Sequence, residues 1–446
     1  MTRSSSENAP HETDAPHPRK RSSRASRTGD GGGEGPGASW PRYVPPHRRR
    51  EEARIAKLDL APPPEPLDHP LVATNVPGLV TTDGELLDLV ATLREAGAFA
   101  FDTEFIGEQN FFPIFCLLQV ATIQTATLID PLAGVDLLPL WELIADPAVE
   151  TLVHAGLQDL EPVERLTGRP PAAIYDTQIA AGFAGLDYPC SLRKLTDALT
   201  DADLGADHKF TDWRKRPLTG DKREYAANDV RYLALLRERI DEEVAKRGHT
   251  AKVPEENRRL CAPGAFVSDP LSGRLKAQGT RGMSRRTRAV LDALLHWRQA
   301  EAIRNDVPVR MFLADQVLVD LALHPPADAA ALRGFKGVPR PVKEHYAAEI
   351  PAVCKDAADG PLPPRARRNP PPSEEDKARL DAIWPRVRAF AEDAGISPSL
   401  LLNKKELTAL VYADAAGQPL PPSRLRRGWR SAFLQPILGD LVTPEA

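Results

Sequence analysis

Ala98-Phe-Ala-Phe-Asp-Thr-Glu-Phe105 is an apolar run that closes on two acids one residue apart. Side chains alternate along an extended strand, so Asp102 and Glu104 point the same way. Two more acids follow in order, Asp159 in His154-Ala-Gly-Leu-Gln-Asp-Leu160 and Asp229 in Tyr225-Ala-Ala-Asn-Asp-Val230. Asp229 lies four residues after Tyr225 in a helical pattern, which puts both on one helix face. Singly, each has an ordinary reading. Strand ends often carry acids, an acid such as Asp159 suits the first turn of a helix over 157–166, and Tyr-x-x-x-Asp is common helix surface. Taken together, the four carboxylates repel one another unless cations hold them. Such hard oxygen ligands suit Mg²⁺ or Mn²⁺. Two ions about 3.5–4 Å apart can clamp the attacking and leaving oxygens of a phosphodiester. The pattern points to a nuclease.

Around this stretch the chain reads as mixed α/β from 70 to 247. A helix over 84–96 precedes the acid-bearing strand, and short apolar runs at 115–121, 126–129 and 151–154 have strand length. Helical patterns cover 137–144, the segment from Leu157, 177–184, 191–199 and 221–246. Strands first and then strand–helix alternation predict a central mixed sheet with helices packed on it. Ligand chemistry in such a sheet gathers where strands end.

The flanks differ in composition. Residues 1–57 are rich in Ser, Arg, Gly and Pro and read as a disordered tail, with basic clusters at 19–21 and 48–50. Residues 248–283 read as a basic, irregular linker. From 284 to 354, Val290, Leu291, Leu294, Leu295 and Trp297 recur at helical spacing. A Pro/Arg linker is expected over 355–373, and 374–446 repeats the helical plan, so two copies of one small module are predicted.

At 446 residues the chain exceeds one ordinary domain, and 42% hydrophobic residues suffice for real cores. No run reaches the roughly 18 apolar residues of a membrane span. The N-terminus lacks an apolar signal region, and the four cysteines form no C-x-x-C pair. A reducing cytoplasm is expected, and zinc is not. The net charge of −4 means that any grip on nucleic acid must come from local basic surface. No G-x-x-x-x-G-K-[ST] loop occurs, which excludes a P-loop ATPase.

With these residues lined up, almost everything after residue 70 resembles the ribonuclease D family, bacterial 3′→5′ exoribonucleases with a DEDD-type exonuclease domain and helical HRDC domains. Asp102-Thr-Glu-Phe105 matches the first exonuclease motif, His154-Ala-Gly-Leu-Gln-Asp159 the second, and Tyr225-Ala-Ala-Asn-Asp229 the third in its tyrosine form. Asp176-Thr-Gln178 and Thr211-Asp-Trp-Arg-Lys-Arg-Pro-Leu218 also look like family segments. The resemblance implies a ribonuclease H-like mixed five-stranded sheet with flanking helices, followed by two small all-α HRDC-like domains, the second matched more loosely. It further implies two divalent ions, Mg²⁺ or Mn²⁺. Asp102 would bridge them, Glu104 and Asp229 would complete the water-activating site, and Asp159 would serve the other. Tyr225 would orient the attacking water, since a phenol of pKa near 10 is a poor base at neutral pH. The expected product is a nucleoside 5′-monophosphate.

Phe105 is a candidate to stack on the terminal base, or equally a core aromatic. Lys209, Arg214 and Arg216 are candidates to hold the strand's backbone, and Trp213 either stacks a base or packs. His154 is expected to shape the turn before Asp159. Lys404, Lys405, Arg424, Arg426, Arg427 and Arg430 are candidate phosphate contacts on the last module. The expected partner is RNA with a single-stranded 3′ end, tRNA precursors among them, with no membrane and no obligate protein partner. The rival expectations are a DNA 3′→5′ exonuclease of repair and a catalytically silent RNA-binding scaffold. A 2′-OH effect on matched RNA and DNA would separate the first two.

Overall fold

The computed structural model describes residues 64–107, 109–205, 211–266, 269–271, 279, 282–363 and 373–444. The tail at 1–57, Lys209 and residues 364–372 of the Pro/Arg segment lie outside the described residues.

A single mixed sheet is ordered β1-β4-β3-β2-β5-β6. Its strands are Gly78–Val80 (β1), Ala98–Ile106 (β2), Ile114–Ala121 (β3), Ala126–Ile129 (β4), Glu150–Val153 (β5) and Ile174–Asp176 (β6). The sheet therefore has six strands where five are expected. β1 and β6 carry three residues each, too few for apolar alternation to show in a sequence. β2 is central. It pairs antiparallel with β3 and parallel with β5, and its first half, Phe99, Ala100 and Phe101, is fully buried.

The helices of the exonuclease-like part are Asp83–Ala96 (α1), Leu138–Ile144 (α2), Glu161–Thr167 (α3), Thr177–Ala181 (α4), Leu192–Leu199 (α5), Gly220–Arg231 (α6) and Leu233–Lys246 (α7). α1 opens on a reciprocal cap between Thr82 and Glu85 and closes on Gly97 at φ +72°. Three expectations change here. The helix expected from Leu157 starts at Glu161, with 156–160 forming a turn in which Leu160 N–H donates to Gly156 at 3.0 Å. The helix over 177–184 ends at Ala181. The long helix over 221–246 divides at Tyr232, whose buried ring packs into the core.

Residues 252–261, expected to be irregular, form a short helix, Lys252–Asn257 (α8), and a 3₁₀ turn. Beyond it a helical domain comprises Arg285–Arg304 (α9), Val309–Phe312 (α10), Asp315–Leu323 (α11), Ala329–Gly334 (α12), Arg340–His345 (α13) and Glu349–Asp359 (α14). α14 runs past the expected boundary at 354 because Lys355-Asp-Ala-Ala-Asp359 contains nothing that stops a helix. Four further helices close the chain, Glu374–Asp393 (α15), Pro398–Leu401 (α16), Lys404–Ala415 (α17) and Gly428–Leu438 (α18).

This last group is not a loose appendage. Leu400, Leu401, Leu410, Trp429 and Leu434 belong to the same buried core as Phe183, Leu233 and Leu236 of the sheet domain. Ser397 N–H donates to Gly182 O at 2.7 Å, and a Cβ on Gly182 would stand 2.7 Å from a Leu400 methyl. Phe183 meets Trp429 edge-on at 5.0 Å. The seam is locked by Glu256 of α8, which accepts from Arg430 Nη2 at 3.0 Å, from Arg430 Nη1, and from Trp429 Nε1 at 3.1 Å. The remaining Arg430 donors reach the carbonyls of Leu400 and Leu401 at 2.8 and 3.0 Å. Arg430 is thus a buried tie rather than the phosphate contact expected of it. Arg424 is likewise held by Glu406, and Arg426 donates to the carbonyls of Thr443 and Leu420.

Removing one partner of a buried ion pair strands the other charge. Arg430→Ala should therefore destabilise the protein by about 3 kcal/mol. Thermal unfolding followed by circular dichroism checks this, and an unchanged midpoint would show that the seam does not hold the fold.

Candidate active site

β2 carries Asp102 and Glu104 at its outgoing end, beyond its buried half and just before a register irregularity between Glu104 and Phe105. Thr103, between them, donates its hydroxyl to Asp159 Oδ1. That bond ties the first motif to the second, and Asp159 is itself buried.

The turn that presents Asp159 is built by a residue whose role was not legible in the sequence. Asp176, at the end of β6, accepts from Ala155 N at 3.1 Å and Gly156 N at 3.2 Å, while also capping α4 through Gln178 N at 2.8 Å and Ile179 N at 3.4 Å. Ala155 is bent to φ +58°. A Cβ at Gly156 would lie 2.6 Å from Val153, so only glycine fits. The His154 ring bridges Thr177 Oγ1 at 2.9 Å and Cys190 O at 3.1 Å. Burial lowers its pKa, against the pull of Asp176. Engaged at both nitrogens, His154 shapes the turn, as expected. The only prior signal for Asp176 was its place in a family-like segment.

The third motif lies on α6, which packs on β2, β3 and β4. Ala226, one turn from Asp229, is buried against Leu117, Leu128 and Trp213. The Tyr225 ring stacks on Trp213 at 6.0 Å and 29°. Trp213 is buried and supports the tyrosine, so it packs rather than stacks a base.

Burial, then the charges of Asp159 and Asp229, push the Asp102 carboxyl well above the ordinary carboxylate range. Burial likewise raises Asp159 to about 6, although the Thr103 hydroxyl pulls it down. The motifs thus bring at least three acids into electrostatic reach. Among the described residues, no three such side chains already stand as a closed ion-holding cluster. The donor set nonetheless fits divalent cations. It consists of carboxylate oxygens whose mutual repulsion a cation would relieve. Opposite Asp102 across the β2–β3 ladder stands Gln119, buried, with neither amide atom bonded to protein. An amide so placed calls for a water or an ordered ligand shell.

Of the expected strand-holding residues, Phe105 is partly exposed and meets Phe115 edge-on at 6.2 Å. Arg214 is largely exposed and forks onto Asp212 at 2.9 and 3.1 Å. Arg216 is placed otherwise than expected. It donates to both oxygens of Asp130 at 2.5 and 2.6 Å and to the carbonyls of Trp213, Lys215 and Cys116. A guanidinium has five N–H donors, so none is left for a phosphate, and Arg216 instead fixes the segment that carries Trp213. No helix among the described residues is long and apolar enough to cross a membrane.

Comparison with known proteins places the chain in a family. Residues 77–245 match the 3′-5′ exonuclease family model, and residues 287–354 match the HRDC domain model. Ribonuclease D of Gluconacetobacter diazotrophicus is 34% identical over 373 residues, 82% of this chain and 91% of the relative. That of Granulibacter bethesdensis is 32% identical, covering 79% and 89%. The crystal structure of Escherichia coli RNase D, described as an exoribonuclease involved in structured RNA processing, superposes with a TM-score of 0.66 at 26% identity, over 83% of this chain and all of that one. The chain belongs to the ribonuclease D family and is a 3′–5′ exoribonuclease that depends on divalent metal.

Proposed function

We propose that Asp102, Glu104, Asp159 and Asp229 hold two divalent ions, Mg²⁺ or Mn²⁺, and that the enzyme trims structured RNA from its 3′ end, tRNA precursors included, releasing nucleoside 5′-monophosphates in the cytoplasm. The observation that carries this is the convergence of the motifs: Thr103, between Asp102 and Glu104, donates to Asp159, and buried Asp102 also feels the charges of Asp159 and Asp229. When bound, such ions activate water and stabilise the leaving oxygen. The protein's part is placement. Asp102 and Glu104 hang from a rigid central strand, and the Asp176 turn and the Thr103 hydroxyl fix Asp159. The Trp213 stack fixes Tyr225, whose hydroxyl orients the attacking water without having to act as a base. Phe105 and Arg214 remain the candidates for contact with the terminal nucleotides, with Lys209 outside the described residues. The four C-terminal helices are read as a second HRDC-like module that supplies surface rather than chemistry.

A 5′-labelled single-stranded RNA should give a metal-dependent ladder shortening from the 3′ end, abolished by EDTA. Asp102→Asn should lower the rate by more than about 100-fold, exceeding the usual cost of losing a residue that only supports a metal ligand. RNA bound without a ladder would favour the silent scaffold, and equal turnover of matched DNA the repair enzyme.

Stability offers a second check. A carboxyl at about 6 in the fold, against 3.8 for the free group, is one the fold prefers protonated. Its penalty is full above about 6, shrinks toward 3.8 and vanishes below that. Asp159→Asn keeps an acceptor for Thr103 and removes the charge. In metal-free protein it should raise the melting temperature near pH 7.5, with the gain fading as pH falls toward 4. A gain independent of pH would refute the assignment.

A further inference from the structure

The first helical domain reaches back to the exonuclease domain at Asp306, just beyond the end of α9. Asp306 sits at φ +49°, a left-handed backbone that Asp tolerates better than most residues. Asp306 N–H donates to Ile303 O at 3.2 Å and Val307 N–H to Ala302 O at 2.9 Å, which holds it there. Its carboxylate faces the connection between β2 and β3. Oδ2 accepts from Asn110 Nδ2 at 2.6 Å, and Oδ1 accepts from the backbone N–H groups of Phe111 and Phe112 at 3.0 and 3.2 Å.

That connection is joined to two elements that lead from site residues. It leaves β2 after Ile106, two residues beyond Glu104. On its other flank the Phe112 ring lies under the Arg165 guanidinium at 4.1 Å. Arg165 belongs to α3, the helix that begins two residues after Asp159, and is itself steadied by Glu161 at 2.7 and 3.0 Å. Phe111 and Phe112 meet edge-on at 4.9 Å, and both remain partly exposed. A charged acceptor of two adjacent backbone N–H groups and a side-chain amide is a strong, directional hold.

We propose that Asp306 is a positioning residue for the exonuclease reaction. Its carboxylate latches residues 110–112 so that the Phe111–Phe112 pair forms an aromatic wall beside the catalytic carboxylates, against which bases of the RNA 3′ end stack. This rests on the site assignment above. It makes docking of the helical domain a condition for a well-shaped cleft, not merely a source of extra surface.

The test uses the full-length protein. Asp306→Gly keeps the left-handed backbone and removes the latch. Asp306→Asn keeps an oxygen for the two N–H groups but turns its own NH₂ toward that of Asn110. Adding Asn110→Asp restores a donor–acceptor pair. KM and kcat are measured on single-stranded RNA, with amide hydrogen exchange at Phe111 and Phe112 and melting temperature alongside. For Asp306→Gly, KM should rise about tenfold or more, the loss expected for a charged hydrogen bond, with kcat within about twofold. Protection at both amides should fall. The double variant should recover KM relative to Asp306→Asn. A lowered melting temperature with KM unchanged would make Asp306 a docking contact only and overturn the proposal, as would a KM shift that the double variant leaves in place. If the unmutated protein fails to degrade RNA, the site assignment falls instead. The latch is then judged on exchange alone, which sustains it if protection is lost in Asp306→Gly and overturns it if protection is kept.

Discussion

Mutual repulsion among carboxylates is the constraint around which this molecule is organised. Asp102, Asp159 and Asp229 come from a strand, a turn and a helix, and nothing local to any of them draws it to the others. They are held together by everything else. The apolar half of β2 anchors one, the Asp176 hub and Gly156 bend the chain to present the second, and the packing of α6 on the sheet delivers the third. The fold sustains an unfavourable arrangement of charge in its metal-free form. Functional sites commonly break local rules in this way, at a cost met by the surrounding structure.

The same logic explains which polar groups near the site are structural. A buried ionisable group survives only when its donors and acceptors are matched. Arg216 is matched by Asp130 and three carbonyls, His154 by Thr177 and Cys190, and Arg430 by Glu256 and two carbonyls. The buried amide of Gln119, with neither atom bonded to protein, is the group near the site left with work to do. Charge alone does not separate a phosphate contact from a structural tie. The count of occupied donors does.

Much of this was legible in the sequence because it is local. The period-2 placement of Asp102 and Glu104, the i,i+4 pairing of Tyr225 with Asp229, and the order of motifs all follow from short windows. What escaped is non-local. Asp176 stands in the sequence only as part of a family-like segment, and only the fold shows its carboxylate gripping a turn twenty residues upstream. Arg216 and Arg430 read as free basic surface because their partners lie 86 and 174 residues away. β1 and β6 were missed because three residues cannot show a period. The turn at 156–160 read as helix because an acid before an apolar stretch looks the same in both.

The seam between α8 and α18 has a further meaning. Tandem helical modules are usually pictured as beads that evolution can add, drop or exchange. Here Trp429 and Leu400 are core residues of the catalytic domain in every respect except chain position, and Gly182, lacking a side chain, leaves room for Leu400. A bead whose inner face is someone else's interior cannot be traded without leaving a hole in the neighbour. In this chain the C-terminal helices and the nuclease share one interior, so neither face is closed without the other.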